Sequence, residues 1–122
     1  MDKSNDNQIS FELVRLNSIP STNEELKIRA INQNAPEGLA IASTVQTSGK
    51  GRHGRVWESA AGNMYCSVLF RPDCGLARAS QLGFLAALAS SQAIASYTGG
   101  VQKLKLKWPN DVLLNNKKVG GI

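Results

Sequence analysis

The chain has 122 residues, 42% of them hydrophobic and 19% charged, which suits a single globular domain with a real core and excludes disordered and collagen-like classes. Fourteen Lys and Arg against nine Asp and Glu give a formal charge of +5, which favours an anionic partner: a nucleotide, an acidic protein surface or nucleic acid. Cys66 and Cys74 lack metal-ligand spacing and read as reduced thiols, residues 1–10 form a polar tail and not a signal peptide, and the apolar run 82–95 is too short and too polar to cross a membrane, so a cytoplasmic protein is expected.

In chain order, residues 11–16 alternate apolar and polar at period two and predict a strand. Ser21 and Glu24 fit a capping box, with Glu24 and Glu25 in the first turn, so a helix should run to about Asn32 before the breaker Asn34-Ala35-Pro36-Glu37-Gly38. Residues 39–45 and 63–70 read as further strands, the second closed by Arg71-Pro72-Asp73. Residues 77–97 predict one long helix, ended by Thr98-Gly99-Gly100, with Leu82, Phe84, Leu85, Leu88 and Ile94 as core knobs. Residues 103–108 alternate Lys and apolar residues strictly, Pro109 bars the strand from continuing, and residues 112–119 form a hairpin around Asn115-Asn116. The expected class is α+β, with a mixed, largely antiparallel sheet and helices to one side.

Between the second and third strands lies Gln46-Thr47-Ser48-Gly49-Lys50-Gly51-Arg52-His53-Gly54-Arg55-Val56-Trp57. Glycines let the backbone approach closely and the cations donate charge-assisted hydrogen bonds, so the loop is suited to wrap a phosphate or carboxylate. A solvated basic loop with no ligand is the plainer alternative. Gly49, Gly51 and Gly54 also satisfy G-x-G-x-x-G, with Asp73 near the spacing of a ribose-binding acid. That fingerprint needs a helix starting on the loop, and residues 55–63 have no helical period. A Walker A motif fails because Arg55-Val56 follows Gly54 where Lys-Ser/Thr is required. Lys103 and Lys105 read as a solvated strand face. Lys107, at the strand end beside Trp108-Pro109-Asn110-Asp111, fits either that face or a ligand contact.

Taken in order, Ser21-Thr22-Asn23, Gln46 with residues 49–57, and Lys107-Trp108-Pro109-Asn110-Asp111 followed by Gly120-Gly121-Ile122 resemble the catalytic domain of the biotin protein ligases. The resemblance covers nearly the whole chain after the tail, and the Lys-Trp-Pro-Asn-Asp pentad is its most specific part. It implies a fold related to class II aminoacyl-tRNA synthetases and lipoate ligases. It also implies ATP and Mg²⁺ as cofactors, biotin as substrate, and a biotin carboxyl carrier domain of acetyl-CoA carboxylase or a related carboxylase as acceptor. The biotin contacts it implies are Ser21, Thr22, Asn23, Gln46, Lys50, Gly51, Arg52 and Lys107, with Lys107 and Arg52 as catalytic cations. The adenylate contacts are Arg55, Trp57 and Asn110, and no protein metal ligand is implied.

Two departures qualify the resemblance. Lys50 and His53 stand where family loops usually carry Arg, which removes one bidentate fork and one charge. His53 reads more simply as a tolerated surface residue than as a catalyst, since nothing nearby in sequence orients it. Family domains also continue beyond the position of Ile122, so residues 11–122 are expected to be the N-terminal part of the catalytic domain. The missing strands would leave an apolar sheet edge, for which a homodimer is one expected outcome. With only the polar tail before Phe11, a ligase without a DNA-binding element is expected. Lipoate or octanoate ligation, an inactive biotin-binding fragment and a basic nucleic-acid-binding module are the alternatives; the last lacks the aromatic pattern of a stacking surface.

Overall fold

The computed structural model describes residues 8–100 and 103–122, so most of the expected tail lies outside the described residues. The chain divides into two compact units, Met1–Arg71 and Pro72–Ile122. The α+β class holds, with the strands falling into two three-stranded sheets in place of one.

The first unit is built on a parallel pair. Strand β1 (Glu12–Ile19) and strand β2 (Leu39–Gln46) run side by side from Glu12↔Leu39 to Ile19↔Gln46. Parallel strands need a crossover, and helix α1 (Thr22–Asn32) supplies it. Ser21 is the N-cap, its Oγ accepting from the Glu24 amide at 3.4 Å, and Glu24 and Glu25 sit in the first turn as the capping-box reading requires. At the other end Asn34 takes a left-handed φ of 48°, and the Arg71 guanidinium donates to the carbonyls of Ala30 (3.3 Å) and Ala35 (3.0 Å). Strand β3 (Tyr65–Val68) pairs antiparallel with β2, which is therefore central. It is shorter than the expected 63–70 because Gly62, at φ 96°, and Asn63 are spent on the preceding turn. Leu26, Ala35, Leu39 and Ile41 form the core, with Val14, Leu16, Ile19 and Leu69 packed against it. Ile41 is fully buried and stabilises the unit by roughly 2–3 kcal/mol.

In the second unit the expected long helix is interrupted. A single turn α2 (Leu76–Ala79) precedes α3 (Leu82–Tyr97). Ser80 Oγ donates to the Ala77 carbonyl at 2.7 Å, a local side-chain bond that competes with the helical ladder at the break. Gly99 and Gly100 end α3 in left-handed conformations, the Gly100 amide reaching back to the Ala95 carbonyl at 3.0 Å. The knobs read as core do not all bury: Phe84, Leu85 and Leu88 are exposed, and Ala87 is the buried residue. A helix apolar all round can offer only one stripe to the short strands it packs on, here β4 (Leu104–Lys107) and β5 (Asp111–Leu114). β5 is central, pairing antiparallel with β4 and with β6 (Lys117–Gly121). Asn115 and Asn116 turn the β5–β6 hairpin at φ 49° and 64°, as their residue type predicts.

Candidate functional site

The parallel β1–β2 pair brings the exits of both strands together at the N-terminus of α1. Beyond the paired Ile19 and Gln46, the Thr47 amide donates to the Ile19 carbonyl and the Ser48 amide to the Pro20 carbonyl, each at 2.9 Å. Strand C-terminal ends beside a helix N-terminus are a common place for a ligand in α/β units. The expected residues Ser21, Thr22 and Gln46 meet here. Ser21 and Thr22 are buried, each 4% exposed, while Asn23 is exposed on the first turn of α1.

Gln46 joins these elements. Its Oε1 accepts from the Thr22 amide at 2.8 Å and from Thr22 Oγ1 at 3.2 Å, and its Nε2 donates to Ser59 Oγ at 3.0 Å. Ser59 Oγ donates in turn to the Trp57 carbonyl at 3.0 Å, and Thr22 Oγ1 shares a 2.8 Å hydrogen bond with Ser67 Oγ. Ser59 and Ser67 were not singled out in the sequence. Serine is common, and no local spacing marks one that meets a glutamine thirteen positions earlier in the chain.

The basic loop rises from this network as a small hairpin. Lys50 and Val56 form a bridge, the Gly51 amide donates to the Arg55 carbonyl at 2.7 Å, and the Trp57 amide donates to the Gly49 carbonyl at 2.9 Å. His53 (φ 58°) and Gly54 (φ 74°) turn the chain back. Within residues 49–57 the helical content is one 3₁₀ turn, Arg52–Gly54, so no α-helix starts on the loop and the dinucleotide fingerprint is without its context, as expected. Gly49 is buried where a Cβ would collide with the Trp57 carbonyl and Ser59 Oγ, so it is glycine for close approach.

Arg52 and Arg55 are exposed on the loop and Trp57 is half-buried at its foot. Lys50 Nζ lies 3.5 Å from Glu24 Oε1, and Lys27 Nζ lies 3.3 Å from the same oxygen. The hydrogen bond from Lys27, helped by the charges of Lys27 and Lys50, holds the Glu24 carboxyl below its ordinary value. The Lys50–Glu24 contact thus ties the loop to α1. A concavity in this unit, about 500 Å³, opens against Arg15, Ala42, Met64 and Cys66 and takes in none of the expected site residues.

In the second unit, Lys107 closes β4 opposite Asp111, and Trp108-Pro109-Asn110 forms the hairpin loop between them, with a cis Trp108–Pro109 bond. A small cavity of about 160 Å³ is lined by this loop together with Phe84, Ala87 and Leu106. Lys107 and Trp108 are exposed, whereas Asp111 is paired with Lys118 at 2.7 Å. Asn110 Nδ2 donates to the Ile122 carbonyl at 3.0 Å, and the Ile122 backbone amide returns a bond to the Asn110 backbone carbonyl at 2.9 Å. Among the described residues no three His, Cys, Asp or Glu side chains gather as a metal site, and no helix is long and apolar enough to cross a membrane.

Known proteins are similar to this chain in sequence and in fold. The bifunctional ligase/repressor BirA of Bacillus subtilis is 44% identical over 108 residues, 88% of this chain and 31% of its own length. A biotin--[acetyl-CoA-carboxylase] ligase of Paracoccus denitrificans is 48% identical over 82 residues, 67% of this chain and 34% of its own. Among solved structures, the biotin protein ligase from Aquifex aeolicus in complex with biotin and ATP superposes with a TM-score of 0.76 at 38% identity, over 90% of this chain and 44% of that one. The chain therefore spans about a third of the length of these curated relatives. The model of the biotin/lipoate A/B protein ligase family matches residues 16–122, and the chain belongs to that family.

Proposed function

We propose that the protein to which this chain belongs is a cytoplasmic, ATP-dependent biotin protein ligase. The observation that carries the reading is the buried Thr22–Gln46–Ser59 network at the joined strand ends, with the Arg52-bearing loop rising from it. The Aquifex relative, of the same fold, binds biotin and ATP.

In the first step a biotin carboxylate oxygen attacks the α-phosphorus of ATP, an O–P bond forms, and pyrophosphate leaves with the electron pair of the broken bond. In the second, a lysine amine of a biotin carboxyl carrier domain attacks the acyl carbon, AMP leaves, and the amine proton is lost to solvent. The Paracoccus relative's name supports a carboxylase as acceptor. Two anions must be brought together, and cations answer that need. Arg52 and Lys107 are assigned to neutralise the carboxylate and α-phosphate and to stabilise charge in the transition state. Ser21, Thr22, Asn23, Gln46, the Lys50-Gly51-Arg52 segment and Lys107 are assigned to biotin, and Arg55, Trp57 and Asn110 to the adenylate. The first step needs no general base, because the attacking carboxylate is already ionised.

Among the described residues no three His, Cys, Asp or Glu side chains gather as an all-protein cage for Mg²⁺. A magnesium ion accompanying ATP would be carried on phosphate oxygens.

The test is pyrophosphate release and mass spectrometry of a carrier domain incubated with the protein, ATP, and either biotin or lipoate. Biotin-dependent release with a biotinyl mass increment on one lysine is expected. A lipoyl increment alone would move the reading to lipoate ligation, and biotin binding by calorimetry without pyrophosphate release would reduce it to a binding module. Loop closure on the ligand is a further expectation: biotin plus ATP should slow proteolysis at residues 50–56. Equal cleavage with and without ligand would remove it.

A further inference from the structure

The hydrogen bonds around Gln46 run in one direction, dictated by their ends. A backbone N–H can only donate, so the Gln46 atom 2.8 Å from the Thr22 amide must be Oε1. The Thr22 hydroxyl gives the same oxygen a second hydrogen at 3.2 Å, so in the Thr22–Ser67 pair Ser67 is the donor. With Oε1 facing Thr22, Nε2 donates to Ser59 Oγ at 3.0 Å. A carbonyl can only accept, so the Ser59 hydroxyl hydrogen is committed to Trp57 at 3.0 Å. Ser59 is 7% exposed, and water is poorly placed to substitute for it. Both acceptor positions of Oε1 are thereby taken, whereas Nε2 retains a second hydrogen.

We propose that Ser59 is a positioning residue for ligand recognition: by accepting from Gln46 Nε2 while donating to the Trp57 carbonyl, it fixes the plane of the Gln46 amide, so that Gln46 offers the ligand a hydrogen and not a lone pair. The group of the ligand that meets Gln46 is then an acceptor oxygen. This rests on Gln46 being a biotin contact, as in the reading above. Thr22 settles which end of the amide is the oxygen. Ser59 removes the remaining freedom about the terminal torsion, which is broad when no partner restrains it. It also registers the returning arm of the basic loop on the same amide, because Trp57 is hydrogen-bonded to Gly49 through its own amide.

The test compares the wild-type chain with Ser59→Ala, Ser59→Thr, Gln46→Ala and the Ser59→Ala/Gln46→Ala double variant. Biotin binding is measured by calorimetry, and the Gln46 side-chain amide is followed by ¹⁵N NMR. Ser59→Ala should weaken biotin binding about tenfold, and Ser59→Thr, which keeps the hydroxyl, should restore most of it. In the Gln46→Ala background, Ser59→Ala should cause no further loss. The Gln46 amide hydrogens should shift and exchange faster in Ser59→Ala than in the wild type. Unchanged biotin affinity in Ser59→Ala would overturn the proposal. So would the same fold-loss with and without Gln46, which would mark a purely structural serine. If the wild-type chain binds no biotin, the assignment of Gln46 as a biotin contact fails for this chain, and the amide spectrum alone decides the positioning role: an unshifted Gln46 side chain in Ser59→Ala refutes it.

Discussion

The Thr22–Gln46–Ser59 network of the first unit and the Lys107–Trp108 pair of the second are held in opposite ways. In the first, Thr22, Gln46 and Ser59 are joined by buried or half-buried hydrogen bonds of 2.8–3.2 Å that tie a helix start, a strand end and a loop foot together. In the second, Lys107 stands exposed at the end of β4 and Trp108 on the three-residue hairpin loop that follows, Trp108 with 78% of its surface open. The difference follows from chemistry. A neutral amide can be built into a protein at little cost if every hydrogen bond is made, and it then recognises by geometry. A cation meant for a phosphate or carboxylate must stay hydrated until the anion arrives, because burying it unpaired is expensive.

That contrast can be broken at several points. The largest expected effect lies in the exposed region: Lys107→Ala should lower biotin-dependent pyrophosphate release by about 10²–10³-fold while far-UV circular dichroism stays unchanged. Wild-type turnover in that variant would remove Lys107 from the chemistry. Next comes the built region, read by urea denaturation. Gly49→Ala drives a methyl into the Trp57 carbonyl and Ser59 Oγ and should cost about 2–3 kcal/mol. Gln46→Ala orphans donors at Thr22 and an acceptor at Ser59 and should cost about 2 kcal/mol. Trp108→Ala, by contrast, should stay within about 0.5 kcal/mol, and a larger loss would mean that the hairpin loop is held as firmly as the network.

Smaller still is the effect of restoring the fork at the loop. Lys50→Arg should tighten biotin binding a few-fold in calorimetry, and no change would show that a point charge suffices there. The smallest effect concerns pH. Because the Glu24 carboxyl is held below its ordinary value, its contribution is present above that value and is lost as pH falls through the lowered one. Glu24→Gln should therefore lower the thermal midpoint slightly at neutral pH and not at about pH 2. A difference that persists in acid would assign the effect to something other than the Lys27 and Lys50 pairs.

Much of the local architecture was legible from residue order. The Ser21 cap, the alternation in β1 and β4, the Asn115-Asn116 turn and the absence of a helix on the glycine loop each depend on neighbours within a few positions. The departures came where distant partners decide. β3 is shorter than its apolar run because its length is set by pairing with β2 and by the turn at Gly62. The bulky residues of the helix expected over residues 77–97 stay largely exposed because a stripe, not a circumference, meets β4 and β5, whereas its break at Ser80 accompanies a local bond to Ala77. The expected single sheet is two, because each strand pairs only within its own unit.

The candidate site divides along the same line. Sequence by itself determined the family and supplied the candidate residues, because Ser21-Thr22-Asn23, the basic glycine loop and Lys107-Trp108-Pro109-Asn110-Asp111 are contiguous runs. Only the tertiary structure decided that Ser59 and Ser67 belong with Gln46, that Gly49 is glycine for want of room, and that Lys50 is tethered to Glu24. These contacts join residues 8 to 45 positions apart, and such a contact leaves no mark on the sequence between its ends.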